Sequence, residues 1–377
     1  MINIKTKNNH PYFYWHLEVS SKCSLSCPRC PRTEHPDKFV VTELDLNFVK
    51  KVFTKDILEQ TQRILFCGGE GDPIYCKEFI QILKYFKDFN PDIQIIITTN
   101  GSYKTKKWWI ELSEVLSDID TIIFSVDGWD NQSNNLYRAN SNFDSIITGI
   151  TTLREHNKVV NITWSTILFR FNQDKIDTII SIANSVGASV FQLVKSTLFG
   201  SKISKYIDPL LGYDALEPVD ISNFNWHERA YVMLDSYKIT ESRLTANNKH
   251  NNNIKYLRDN YITTESDILP GCQIGERALY INAQGRLFPC SWISHPFVQR
   301  SSTTRKKSVN WEQHWFNVYK DQFDLHVHSI DEVLNSSAWT NLQKSFSCTN
   351  NKFVECEQKC SVNSTSSRLK NILKIED

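Results

Sequence analysis

Three cysteines, Cys23, Cys27 and Cys30, stand within eight residues in "SSKCSLSCPRCPR" (residues 20–32). A disulfide takes two thiols and a structural zinc ion takes four ligands, so C-x3-C-x2-C spacing calls for another account. Iron–sulfur clusters are held by cysteine thiolates, usually four to a cubane. A cubane held by three leaves one iron open to a small molecule, as a catalytic zinc keeps one position open. Zinc is an alternative if His16 or His35 supplies the fourth ligand, and inert packing thiols are another. His16 lies inside an apolar run that reads as a strand, and the Ser, Lys and Arg around the thiols suit a packed core poorly. The cluster is the favoured reading. A second group, Cys272, Cys290, Cys348, Cys356 and Cys360, lies near the other end, while Cys67 and Cys76 read as small packing residues.

The composition restricts what such a site can serve. With 40% hydrophobic and 12% aromatic residues the chain is globular rather than disordered. Its 43 basic and 42 acidic residues nearly cancel, which disfavours a nucleic-acid partner. The run Arg305-Lys306-Lys307 reads as a solvated loop. The N-terminal stretch lacks the apolar core of roughly 7–15 residues that marks a signal peptide. No window reaches the roughly 18 apolar residues of a membrane span. The expectation is a soluble, cytoplasmic protein with no membrane contact. In a reducing compartment clustered cysteines are metal ligands or redox groups rather than disulfides.

The elements that must position the cysteines can be read from periodicity. Short runs rich in Ile, Val, Thr and aromatics predict strands at 12–20, 63–69, 92–101, 121–128, 159–169 and 189–195. Apolar residues at three- and four-residue spacing predict helices over 46–60, 77–89, 106–116, 143–156 and 175–186. Alternation of strand and helix requires a parallel sheet with right-handed crossovers. An open doubly wound sheet and a partly closed barrel both satisfy it, and both collect active sites at the C-terminal strand ends. The cysteine triad falls on the first of these strand-to-helix loops. The rhythm stops near residue 200. Residues 201–265, which include "ANNKHNNN", read as a connecting insertion, partly flexible, and residues 266–377 as a small cysteine-rich unit. In that unit "ALYIN" and "RLFPC" around the turn "AQG" predict a β-hairpin.

Together these residues resemble the radical S-adenosylmethionine (SAM) enzymes. The C-x3-C-x2-C loop after the first strand is similar to the signature of that family, and further motifs follow in order. "GGEGDP" after the second strand resembles the glycine-glycine-glutamate motif, which implies that Gly68, Gly69 and Glu70 hold the methionine ammonium of SAM. Glycines permit close backbone approach and a carboxylate pairs with an ammonium. "TTNG", with Asn100, and "SVDG", with Ser125 and Asp127, are similar to the family's third and fourth strand ends and imply contacts to SAM. The resemblance also implies that Arg138, in "YR", meets the SAM carboxylate. One departure is Arg29, where the family usually carries an aromatic or apolar residue near the adenine; a guanidinium can stack on a base. The implied fold is α/β, a partial (β/α)6 TIM-like barrel over residues 1–200. The implied chemistry is one-electron cleavage of SAM at a [4Fe–4S] cluster on Cys23, Cys27 and Cys30. The 5′-deoxyadenosyl radical then abstracts hydrogen from a substrate.

The arrangement C-x12-G-x4-C formed by Cys272, Gly285 and Cys290 is similar to the opening of SPASM and twitch domains, which follow many radical SAM cores. It implies a small α+β domain with an auxiliary [4Fe–4S] cluster on Cys272, Cys290, Cys356 and Cys360. Cys348 is then spare or a substitute. The tail's five cysteines are fewer than a full SPASM domain carries, and zinc on the same four is the alternative. The resemblance implies an oxidoreductase or modifying enzyme acting on a peptide, a protein or a small molecule, with an electron donor such as flavodoxin or ferredoxin. The competing reading from another class is a non-catalytic zinc-binding structural or interaction protein, for which the glycine-glutamate motif has no use.

Overall fold

In the computed structural model, the structure describes residues 14–34, 36–194, 216, 231–248, 278–294, 308–345, 353 and 356. Six strands and their crossovers occupy the first half of the chain: β1 (Tyr14–Leu17), β2 (Arg63–Phe66), β3 (Gln94–Thr99), β4 (Thr121–Ser125), β5 (Asn161–Ile167) and β6 (Val190–Val194). Each pairs in parallel with the next in sequence, as repeated βαβ units demand. The alternation has one buried and one half-open side. Ile64, Phe66, Ile95, Ile97, Ile122, Phe124, Ile162 and Trp164 are fully buried, whereas Leu65, Ile96, Ile123 and Ser165 between them are half-exposed.

The buried side lies under helices. Phe66 meets Phe79 of the helix Phe79–Phe89 edge-on at 5.1 Å, and Phe124 meets Trp109 of the helix Lys106–Ser113 at 5.5 Å. Trp164 packs against Phe143, which opens the helix Phe143–His156. Burying each such aromatic contributes roughly 1.5–3 kcal/mol. The helical pattern over 46–60 is interrupted: Leu46–Val52 and Lys55–Gln60 are separate helices. Phe53 turns inward between Trp15 and Phe86, and Thr54 takes an extended conformation that restarts the helix.

Three further strands extend the sheet. β7 (Tyr231–Met233), from the segment expected to be only a connector, pairs antiparallel with β6. β8 (Ala278–Ile281) and β9 (Leu287–Phe288) form the expected hairpin, and β8 joins β1 in parallel. The order is β7-β6-β5-β4-β3-β2-β1-β8-β9, a nine-stranded, mostly parallel sheet in a partial TIM-like arrangement. The C-terminal hairpin is therefore continuous with the core sheet. Behind it pack the helices Ser308–Tyr319, Ile330–Leu334 and Ser337–Ser345, with Phe288, Trp315 and Phe323 at their centre. No described helix is long and apolar enough to cross a membrane.

Candidate active site at the C-terminal ends of the strands

The cysteine loop leaves β1 and is fastened at several points. Ser26 N–H donates to Ala139 O at 3.0 Å, Ser24 Oγ lies 2.6 Å from the Tyr75 hydroxyl, and Tyr75 donates to Ser102 O at 2.9 Å. Cys30 N–H donates to Cys27 O at 3.0 Å, a turn that leads into the short helix Pro31–Glu34. Cys27 is buried, Cys23 and Cys30 are half-buried, and all three pack in one group with Leu25, Tyr137, Phe169 and Leu216. Burial pushes the Cys23 thiol up to about 12, and the charge of Asp72 adds to it. Burial also raises Cys27, with the Arg138 guanidinium opposing it. Held as neutral thiols, these groups would release protons on taking up a metal.

Soft sulfur donors with amide N–H groups aimed at them suit iron–sulfur ligation. Leu25 N–H lies 3.4 Å and Asn100 Nδ2 3.5 Å from Cys23 Sγ. Among the described residues no three His, Cys, Asp or Glu side chains converge as the ligands of a single ion would. His16 is occupied elsewhere: its Nε2 is 3.5 Å from Glu18 Oε1, and its ring stacks edge-on against Tyr280 at 4.7 Å. His35 lies outside the described residues.

The glycine-rich loop after β2 is fixed by a residue that the sequence motifs did not single out. Glu18, buried at the end of β1, accepts from Gly69 N–H at 2.5 Å and Glu70 N–H at 3.3 Å. Burial raises the Glu18 pKa, and its contact with His16 pulls the other way. A side chain at Gly69 would strike the Glu18 carboxylate, and one at Gly71 would strike the backbone of Ser20 and Ser21. The close approach that these glycines permit is therefore between two loops of the protein. Substituting Gly71 with alanine is expected to push the cysteine loop off the glycine loop. It should cost about 1–3 kcal/mol, read as a lowered urea midpoint. Glu70 also has a partner other than the expected ammonium. It is 2% exposed, and its Oε2 accepts from Ala283 N–H at 2.9 Å, in the turn of the β8–β9 hairpin.

At the end of β3, Asn100 faces inward to the protein. Its N–H and its Nδ2 both donate to Asp72 Oδ2, at 2.7 and 2.5 Å, and its Oδ1 accepts from Ser102 N–H at 2.9 Å. Thr99 Oγ1 donates to the same Asp72 oxygen at 3.1 Å. Asp72 ties the glycine loop to β3. Only its place in "GGEGDP" hinted at this, because its partners come from another strand. Burial lifts its pKa from 3.8 to about 6 against these hydrogen bonds. A carboxyl raised on folding holds its proton longer in the folded chain. Its contribution to stability is therefore full below about pH 4 and falls as pH rises to about 6, by on the order of 3 kcal/mol. Asp72→Asn is expected to remove that fall, measured as the difference between wild-type and variant urea midpoints from pH 4 to pH 7.

Ser125 is half-exposed on the inner face of the sheet, in register with Ser165 of β5 and, through it, Gln192 of β6. Gln192 Nε2 donates to the Tyr231 hydroxyl at 2.7 Å, which continues a polar row to β7. Asp127 is fully buried with both oxygens engaged: Oδ2 accepts from Arg138 Nε at 2.6 Å and Oδ1 from Ile167 N–H at 2.7 Å. Both oxygens of this residue, expected to meet SAM, are thus engaged within the protein. Burial alone would lower the Arg138 pKa, but Asp127 and its other neighbours more than reverse this and keep it charged beside Cys27. Cys290 and Cys356 both pack against the main apolar core. Cys272 and Cys360, expected beside them, and Cys348 lie outside the described residues.

Residues 17–182 match the model of the Radical SAM superfamily. A GTP 3′,8-cyclase of Campylobacter jejuni subsp. doylei is 25% identical over 250 residues, 61% of this chain and 75% of that protein. The tungsten-containing aldehyde ferredoxin oxidoreductase cofactor-modifying protein of Pyrococcus furiosus is 29% identical over 114 residues. That alignment spans 30% of this chain and 30% of the relative. Among solved structures, anSMEcpe with bound AdoMet has a TM-score of 0.51 at 13% identity, covering 90% of this chain and 81% of its own. Streptococcus suis SuiB bound to S-adenosylmethionine has a TM-score of 0.51 at 14% identity, covering 92% and 78%. Both structural similarities are of fold. The match to the Radical SAM superfamily spans residues 17–182, the part of the chain that contains the cysteine loop, the glycine loop and the Asp127–Arg138 pair.

Proposed function

We propose that Cys23, Cys27 and Cys30 hold a [4Fe–4S] cluster, and that the enzyme uses SAM to take a hydrogen atom from a polar substrate, a peptide or a small molecule. The observation that carries this reading is the meeting of three segments at one end of the sheet. Cys23 is hydrogen-bonded by Asn100 of the β3 end, Cys27 lies beside Arg138, and the glycine loop is strapped to β1 by Glu18. When bound, the cluster supplies the single electron that converts SAM to methionine and a 5′-deoxyadenosyl radical. Arg138, kept charged and oriented by Asp127, receives the SAM carboxylate. Backbone carbonyl oxygens of Gly68, Gly69 and Glu70 accept the ammonium, with the Glu70 carboxylate holding the loop against the hairpin. Ser125 on the inner face reaches the ribose. The polar row Ser165–Gln192–Tyr231 offers hydroxyl and amide groups to the substrate, which favours one with hydrogen-bonding groups of its own.

An auxiliary [4Fe–4S] cluster on Cys272, Cys290, Cys356 and Cys360 completes the proposal, supported by Cys290 and Cys356 lying against one apolar core. A flavodoxin- or ferredoxin-type donor supplies the electrons. The test is anaerobic purification, reconstitution with iron and sulfide, and assay of iron, zinc and 5′-deoxyadenosine after adding dithionite and SAM. About eight irons per chain with 5′-deoxyadenosine released is the expected result for two cubanes. Zinc in place of iron, with SAM intact, would return the chain to the metal-binding reading.

A further inference from the structure

Asn100 stands between a buried carboxylate and a sulfur. Its Nδ2 forks, donating to Asp72 Oδ2 at 2.5 Å and toward Cys23 Sγ at 3.5 Å. The orientation of the amide is fixed by its surroundings. Its Oδ1 accepts from Ser102 N–H at 2.9 Å, so a flipped amide would set two donors against each other there and two acceptors against each other at Asp72. Asp72 is fixed in turn by Ile74 N–H at 3.2 Å, Thr99 Oγ1 at 3.1 Å and Asn100 N–H at 2.7 Å. Asn100 itself is 5% exposed, so water competes little for its N–H. The second N–H at Cys23, from Leu25, comes from the loop's own backbone.

We infer that Asn100, oriented by Asp72, is a positioning residue that donates an N–H···S hydrogen bond to Cys23 and raises the reduction potential of the cluster held there. The inference rests on the cluster reading above. Reduction adds one electron from a low-potential donor and transfers no proton, taking the cluster from 2+ to 1+. The added charge is shared by the sulfurs, so a donor at Cys23 Sγ stabilises the reduced form more than the oxidised one. Asp72 has the opposite effect by its charge, and the Asn100 amide separates it from the sulfur. Removal of Asn100 is therefore a cleaner probe than removal of Asp72.

The experiment is an EPR-monitored redox titration of the reconstituted holoenzyme, its N100L variant and its N100D variant, with iron measured in each. N100L is expected to hold as much iron as wild type and to titrate at a more negative potential. At a fixed solution potential its ratio of reduced to oxidised cluster should be about tenfold lower, about 59 mV for a one-electron couple. N100D keeps the shape and sets a second carboxyl against Asp72, where the pair shares one proton between its oxygens and leaves no donor for the sulfur, so its potential should also fall below wild type. An unmoved potential with full iron in N100L overturns the inference. If N100L loses its iron, N100D decides in the same way, and loss of iron from both overturns it by making Asn100 a retaining residue. A wild-type protein that takes up no iron overturns the cluster reading itself, a result that the variants cannot mimic.

Discussion

Cys27→Ala is expected to empty the site of iron and to end formation of 5′-deoxyadenosine while the chain stays folded. Cys27 is the most buried of the three thiols and the middle one of the loop, and among the described residues no exposed cysteine stands ready to take its place. Loss of an outer-shell partner already costs about 10–100-fold in metal affinity or activity. Loss of a sulfur ligand should exceed that upper figure. The fold should survive, because alanine removes one buried sulfur from a loop anchored through Ser24, Ser26 and Ser21. Trimming a single atom from such a site costs about 1 kcal/mol. The measurements are iron per chain, the charge-transfer absorption of the reconstituted protein and chromatographic quantitation of 5′-deoxyadenosine. A C27A protein with a full complement of iron and wild-type turnover would falsify the assignment of the triad.

Asp127→Ala is expected to be the most destabilising single change at the site, at about 3–5 kcal/mol, because it leaves Arg138 buried without its carboxylate. The effect spreads beyond the ion pair. Ile167 N–H loses its acceptor at the end of β5, which costs a further buried hydrogen bond. A double variant, Asp127→Ala with Arg138→Leu, should recover part of the loss by removing the stranded charge, and a double-mutant cycle separates the two contributions. Urea midpoints of the four proteins are the readout. A D127A variant within about 1 kcal/mol of wild type would mean that the pair is hydrated and does no structural work.

The strands were legible because their alternation has a physical cause. Ile64, Phe66, Ile122 and Phe124 point at helices, while their neighbours line a half-open face, and that contrast is written in residue type. The grouping of the cysteine triad was legible for a similar reason, since its spacing is local in sequence. Glu18 and Asp72 were not, and Asn100 stood out only as a contact to SAM, because what each does depends on a partner brought by another strand. Glu18 lies 51 residues from the Gly69 amide that it accepts from, and Asp72 lies 28 from Asn100. The glycine motif was read as making room for a ligand, whereas at Gly69 and Gly71 the room is taken by the protein itself. The short strand Tyr231–Met233 carries too few residues to show a period, so its place beside β6 was invisible. The break at Phe53 was hidden because its apolar ring continues the helical pattern in sequence while its backbone does not.

The pairing of β8 with β1 has a consequence for how the chain is made. The bond from Ala283 to Glu70 closes over 213 residues, and β1 keeps an open side until β8 arrives. At a translation speed of about 5–20 residues per second, that interval lasts roughly 10–40 s. For that time the nascent chain carries an unfilled strand edge next to three thiols without their packing, and such edges recruit other chains. Contacts this distant in sequence also slow folding once synthesis ends. A ribosome-bound chain stopped before residue 278 therefore displays a sticky, oxidisable intermediate, and low temperature, slow induction or a holdase chaperone should raise the yield of soluble protein.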